Sequence, residues 1–254
     1  MEHLGPRLAE IPGVVAVTLG GSRARGEAGP DSDWDFGLYY RGTIDPADIA
    51  ALGWPGEITG PGGWGPVVNG GAWLTVAGER VDLCYRDLDE VLACVAEAER
   101  GRFEIHGLAT YVAGIASYVV VGELACCKQL VGTLPRPSYP EALVLSAPPR
   151  WRGLSTMAMR TARAHAARGD VVGTVSNLGV AVVAEANARL AERREWALNE
   201  KGLVDLAGLG EAHAILALPG SSPSELGAVV AVVTALLGAG TVRPIATGSP
   251  PGSP

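Results

Sequence analysis

Apolar residues along this chain change their spacing part-way, and the change predicts where one architecture gives way to another. Up to about residue 134, short aliphatic runs alternate with stretches of helical period. "VVAVTLGG" (Val14–Gly21) is a continuous apolar run closed by glycines, which predicts a buried strand. "WDFGLYY" (Trp34–Tyr40) predicts a second strand. In "DPADIAALG" (Asp45–Gly53), Asp45 stands where an N-cap belongs and Pro46 at the first helical position, so a helix starts there. "AWLTVAGERVDLCYRD" (Ala72–Asp87) has two β-rich arms around "AGE" and reads as a hairpin. "DLDEVLACVAEAERG" (Asp87–Gly101) has an acidic start and helical periodicity. In the next stretch, "SYVVVG" (Ser117–Gly122) predicts a strand and "ELACCKQLVG" (Glu123–Gly132) a helix.

The prolines of "LPRPSYPEALVLSAPPR" (Leu134–Arg150) then predict a linker. Beyond it the pattern is Ala-rich and helical, without strand-like alternation, in Leu154–Asp170 and Val172–Asn199. "SPSELGAVVAVVTALLG" opens with capping signals and predicts a last helix. The expected fold class is α+β: a small mixed β-sheet with flanking helices, followed by a C-terminal α-helical bundle. The expected boundaries are a first domain over 1–134, a Pro-rich linker over 135–150, a helical domain over 151–245, and a disordered tail over 246–254.

Composition narrows the function classes. Hydrophobic residues at 48% and charged residues at 19% describe a globular chain. A net charge of −7 disfavours nucleic acid as a partner, because phosphates need a basic footprint. The four cysteines form no CxxC pair, so neither a zinc site nor a disulfide framework is expected. No basic n-region followed by an apolar h-region opens the chain, and its longest apolar runs fall short of the roughly 20 residues that span a bilayer. A cytoplasmic protein without a membrane partner is the expectation.

The chemistry concentrates in "LGGSRARGEAGPDSDWDFGLYY" (Leu19–Tyr40). Residues two apart on a strand share a face, so Asp33 and Asp35 point one way while Trp34, Phe36 and Leu38 point toward a core. Two carboxylates side by side repel unless a cation lies between them, and a hard ion such as Mg²⁺ takes oxygen ligands. A solvated turn at a strand entry is the alternative. The glycines of "GGS" (Gly20–Ser22) allow close approach of a ligand to the backbone, and free N–H groups there attract phosphate. Asp82, between Val81 and Leu83, faces away from the side those two occupy. A carboxylate inside an aliphatic strand is disfavoured unless something satisfies it.

A Gly-Ser turn, Asp-x-Asp after roughly ten residues, and a carboxylate in a later strand form a known pattern. The stretch from Gly20 to Asp82 thereby resembles the nucleotidyltransferase superfamily related to DNA polymerase β. Its small bacterial members include aminoglycoside and lincosamide nucleotidyltransferases and the minimal nucleotidyltransferases of toxin–antitoxin pairs. "REWALNEKGLV" (Arg194–Val204) adds a weaker similarity. The resemblance implies that Gly21 and Ser22 contact the phosphates of a nucleoside triphosphate. It implies that Asp33 and Asp35 hold Mg²⁺, two ions in all, and that Asp82 completes the metal site and helps deprotonate an acceptor hydroxyl. The implied activity is transfer of a nucleoside monophosphate to a small hydroxylated acceptor, aminoglycoside and lincosamide antibiotics among the candidates. The alternative is an antitoxin-like enzyme that binds or AMPylates a partner protein.

Other residues carry weaker claims. Arg23 follows the turn and is a candidate phosphate contact, whereas Arg25 reads as surface charge. Glu123 is a candidate extra base, or a helix-start glutamate placed by the helix dipole. Asn177, Glu185 and Asn187 either line an acceptor cleft or mark an exposed helix face. Trp54, Trp64 and Trp73 either stack on a base or sugar, or pack a loop.

Overall fold

The computed structural model describes residues 1–238. The tail expected over 246–254, and the end of the helical segment expected to reach 245, lie outside the described residues. Contacts divide the described residues into two compact units, Met1–Pro149 with Arg189–Lys201, and Arg150–Ala188 with the described residues that follow Lys201.

The first unit holds α1 (Gly5–Leu8), β1 (Val14–Leu19), α2 (Gly21–Arg25), β2 (Trp34–Tyr40), α3 (Pro46–Ala50), β3 (Gly56–Thr59), β4 (Gly71–Val76) and β5 (Glu79–Asp87). It continues with α4 (Leu88–Glu99), β6 (Ile105–His106), β7 (Ile115–Ala116), α5 (Val119–Cys126) and β8 (Lys128–Val131). Six strands form one mixed sheet in the order β3-β4-β5-β2-β1-β8. β2 and β5 run parallel at its centre, and the other neighbours are antiparallel. The fold is thus α+β, a mixed sheet with flanking helices followed along the chain by helices, as the alternation predicts.

Alternation along each strand separates two faces. Val17, Leu19, Phe36, Leu38, Val81, Leu83 and Tyr85 join one buried apolar cluster with Leu8 and Ile49. Asp35, Gly37, Asp82, Cys84 and Arg86 take the alternate positions and so the opposite face. The cap predicted at Asp45 forms, accepting from the Ala47 N–H at 2.8 Å, and Asp87 caps the next long helix, accepting from the Asp89 N–H at 2.9 Å.

Three stretches depart from expectation. The valines of "SYVVVG" predicted a strand, but Val119–Cys126 is helical, and Val119, Val120, Val121 and Leu124 are all buried. β-branched residues disfavour helix only weakly, and burial around the helix decides the conformation. The following "KQLV" (Lys128–Val131) is the strand, paired with β1 at the edge of the sheet. The Pro-rich stretch is helical from Glu141: α6 spans Glu141–Ala166 with Pro148 and Pro149 inside it.

The second unit is helical. It takes α6 from Arg150, α7 (Val171–Glu192) as far as Ala188, α8 (Leu203–Leu206), α9 (Glu211–Ala217) and α10 (Pro223–Gly238). Glu185 and Asn187 are buried there, which excludes the exposed-face reading for both. Glu185 receives two hydrogen bonds from Arg152, at 3.1 and 3.2 Å, and Asn187 donates to the Val183 carbonyl one turn back. Among the described residues α7 alone has the length and apolar composition to cross a membrane. It fits a core helix: Leu178, Ala181, Val182 and Ala184 are buried within the protein.

Candidate active site on the polar face of the sheet

Strand register sets the site. In the parallel pair β2–β5, Asp35 stands directly opposite Asp82, so their side chains leave the same face from strands about 4.8 Å apart. Gly20 closes the row on the β1 side, its N–H donating to the Asp35 carbonyl at 2.7 Å. Gly21 follows with φ +59°, and a Cβ there would lie 1.8 Å from Asp35 Oδ2. Only glycine therefore lets the turn pass the carboxylate. Ser22 is the second residue of the five-residue α2.

The electrostatics follow from that crowding. Burial raises Asp35 above the ordinary carboxylate range, and the Asp33 and Glu123 carboxylates add to the shift. Burial also pushes Asp82 up to about 6, reinforced by Asp35 and Asp33. Lys201 opposes both shifts, and Arg80 opposes the second. Neither Asp35 nor Asp82 has a hydrogen-bond or ion-pair partner in its side chain's surroundings among the described residues. Two close, half-buried, unsatisfied carboxylates are hard oxygen donors whose repulsion a divalent cation relieves, so this pair fits Mg²⁺.

Asp33 is placed differently. It precedes β2, and its carboxylate is engaged by the Arg80 guanidinium. No group of three acidic, histidine or cysteine side chains is gathered around one metal position among the described residues. Asp33 would have to release Arg80, whose side chain is 67% exposed, to join Asp35 and Asp82. Exposed ion pairs of this kind are worth little, so that exchange is inexpensive.

Arg23 is spent on structure. It donates to the carbonyls of Ser32 at 2.6 Å and Asp33 at 3.1 Å, and its guanidinium lies 4.0 Å over the Trp34 ring. It therefore fixes the loop that delivers the Asp-x-Asp pair. Arg25 pairs with Glu27 at 2.8 Å.

A pocket of about 140 Å³ opens beside Asp35, walled by Gly21, Tyr39, Arg86, Glu123 and Asn199. Glu123 is not at a helix start; it lies in the second half of α5 and faces Arg86. Arg86 donates to its two oxygens at 2.7 and 3.0 Å and to the Val68 carbonyl at 2.7 Å. Burial works against the Arg86 charge, but the Glu123 carboxylate outweighs it, so the guanidinium stays ionised. Burial raises the Cys84 thiol to about 11, which keeps it protonated and inert.

Two site residues escaped the sequence reading. Arg86 shares the strand face of Asp82, four positions on, and the alternation that singled out Asp82 extends to it. Lys201 lies far along the chain, and only folding brings it near Asp35 and Asp82. Its segment is anchored within the first unit. Trp196 packs on Tyr139 with centroids 4.4 Å apart, and Glu200 accepts from the N–H groups of Val112 and Ala113 at 2.7 and 3.0 Å.

Residues 3–57 match the family model of the nucleotidyltransferase domain. That span contains Gly21, Ser22, Asp33 and Asp35 and ends before Asp82. A nucleotidyltransferase-like protein from Exiguobacterium sibiricum 255-15, known from a crystal structure, is similar at 10% identity with a TM-score of 0.44, over 92% of this chain and 71% of that one. A search of curated proteins finds no match.

Proposed function

We propose that this protein is a metal-dependent nucleotidyltransferase that moves a nucleoside monophosphate from a nucleoside triphosphate to a hydroxyl of a small acceptor. The observation that carries this reading is the side-by-side placement of Asp35 and Asp82 against the Gly21–Ser22 turn. The domain match over residues 3–57 supports the same class of reaction.

In this reading Asp35 and Asp82 hold Mg²⁺, with Asp33 joining them on leaving Arg80. Held there, Mg²⁺ would supply positive charge opposite the phosphoryl oxygens of the triphosphate. The backbone at Gly21 and Ser22 cradles the outer phosphates, and Lys201 offsets their charge. The acceptor oxygen forms a bond to the α-phosphorus. The bond from that phosphorus to the bridging oxygen breaks, and pyrophosphate leaves with the electron pair. Asp82, in its ionised form, takes the hydroxyl proton. Aminoglycosides and lincosamides are the first acceptors to try.

The test supplies Mg²⁺, each of ATP, GTP, CTP and UTP, and a panel of both antibiotic classes. Pyrophosphate release with an acceptor whose mass rises by one nucleotidyl group is the expected result. No triphosphate binding and no pyrophosphate with any combination would reject the proposal.

A further inference from the structure

The strand register that aligns Asp35 with Asp82 extends across the rest of the sheet. Asp82 stands opposite Trp73 on β4, and Trp73 stands opposite Glu57 on the edge strand β3. Directly paired residues share a face, so Gly20, Asp35, Asp82, Trp73 and Glu57 form one row. At the Trp73 position the face carries a large indole that is 51% exposed. The indole is backed by a second one: Trp64 stacks on it with centroids 4.7 Å apart and planes 22° from parallel. The sequence makes room for this pair. A Cβ at Gly71, two residues before Trp73 on the same face, would lie 2.5 Å from the Trp64 ring. Trp73 and Thr75 border an open recess of about 420 Å³ together with Asp33, Arg80 and Asp82.

We propose that Trp73, supported by Trp64, is the platform on which the acceptor's ring lies, and that Glu57 at the outer end of the row receives an amine cation of that acceptor. The inference rests on the nucleotidyl-transfer reading for its direction. Displacement at phosphorus is in-line, so the attacking hydroxyl enters opposite the departing pyrophosphate. The pyrophosphate belongs at the Gly21–Ser22 end of the row. The acceptor therefore enters from the Asp82 end, where Trp73 lies. Aromatic faces bind the flat apolar side of a ring and attract a nearby cation. Glu57, paired with Trp73 across β3 and β4 and outside the metal-holding set, supplies negative charge at this outer end. The chemical class is a hydroxylated, amine-bearing ring such as an amino sugar.

Kanamycin is a suitable probe, tested on the full chain by calorimetry without nucleotide, and by transfer kinetics with Mg²⁺ and each triphosphate. Wild-type protein is expected to bind kanamycin. Trp73→Ala is expected to weaken binding about tenfold, Trp73→Leu to do likewise although it keeps apolar bulk, and Trp73→Phe to retain most of the affinity. Glu57→Gln is expected to weaken binding about threefold. The affinity for the triphosphate should stay within about twofold in all four variants, given that the platform takes no part in holding phosphate. The proposal is overturned if wild type does not bind kanamycin, if Trp73→Ala and Trp73→Leu bind it as wild type does, or if triphosphate affinity falls in parallel. The two readings fail separately. Trp73-dependent binding with no pyrophosphate release from any triphosphate leaves the platform standing and rejects transfer. Transfer whose acceptor KM ignores Trp73 leaves transfer standing and rejects the platform.

Discussion

On β2 and β5, Phe36, Leu38, Val81 and Leu83 enter the apolar core, while Asp35, Gly37, Asp82 and Cys84 occupy the same strands one step out of phase. Each face has what the other lacks. The core face is closely packed: Phe36, Leu38, Val81 and Leu83 are apolar and fully buried. The polar face is unsatisfied: it carries two carboxylates that repel, a glycine turn pressed against one of them, and an exposed indole. Core packing holds the unfavourable face in place. Sites that act on charge are assembled in this way, with local repulsion tolerated because the surrounding fold resists rearrangement.

Substitutions on the two faces should therefore separate activity from stability. The largest effect is expected for Asp35→Asn: nucleotidyl transfer should fall about a thousandfold, as for loss of a main charge-stabilising group. Its melting temperature should hold or rise, because the variant removes a carboxylate whose charge burial and its neighbours oppose. A melting temperature that collapsed with activity would break the contrast between the faces. Leu83→Ala tests the other face. It should cost about 2–5 kcal/mol in denaturant unfolding, while the folded fraction keeps a near-normal kcat.

A smaller effect at the boundary should join both readouts. Gly21→Ala places a methyl group against Asp35 Oδ2 and forces a non-glycine residue to φ +59°. It should cost about 1–3 kcal/mol by chemical denaturation and weaken triphosphate binding in parallel.

The gentlest probe is pH. Asp82 rises from the ordinary 3.8 to about 6 in the folded, metal-free protein. Between those values the native state holds a proton that the unfolded chain has released. The contribution of Asp82 to stability is therefore full below 3.8 and is lost as the pH rises through about 6. Asp82 is half-buried, so the magnitude is reduced by solvent screening. Asp82→Asn should flatten that part of the stability profile. Thermal stabilisation by Mg²⁺ should grow over the same interval, since the metal competes with the proton.

Much of this face was legible because the relevant rules are local. The Gly-Ser turn, the Asp-x-Asp spacing and the odd carboxylate in an aliphatic strand can each be read from a few neighbouring residues. Asp82 was found by alternation, and the same argument carried two steps further reaches Cys84 and Arg86. Glu123 was visible as a residue, but its partner was not, because a misassigned "SYVVVG" strand hid the helix that turns it toward Arg86. Asp33 shows the converse. Its motif was plain, yet only the fold shows Arg80 on its carboxylate and Arg23 holding its carbonyl.

By itself the sequence determined β1, β2, β4 and β5, their two faces, the capped helix starts and the turn that needs glycine. These follow from backbone sterics and from a side-chain period of two, which act over a few residues. Tertiary structure decided which distant strands became neighbours and in what register, and so put Asp82 beside Asp35. It also decided that Arg189–Lys201 belongs with the first unit, bringing Lys201 toward the carboxylates across more than a hundred residues of chain. Such pairings arise from packing and burial between distant segments, and no local pattern encodes which segment meets which.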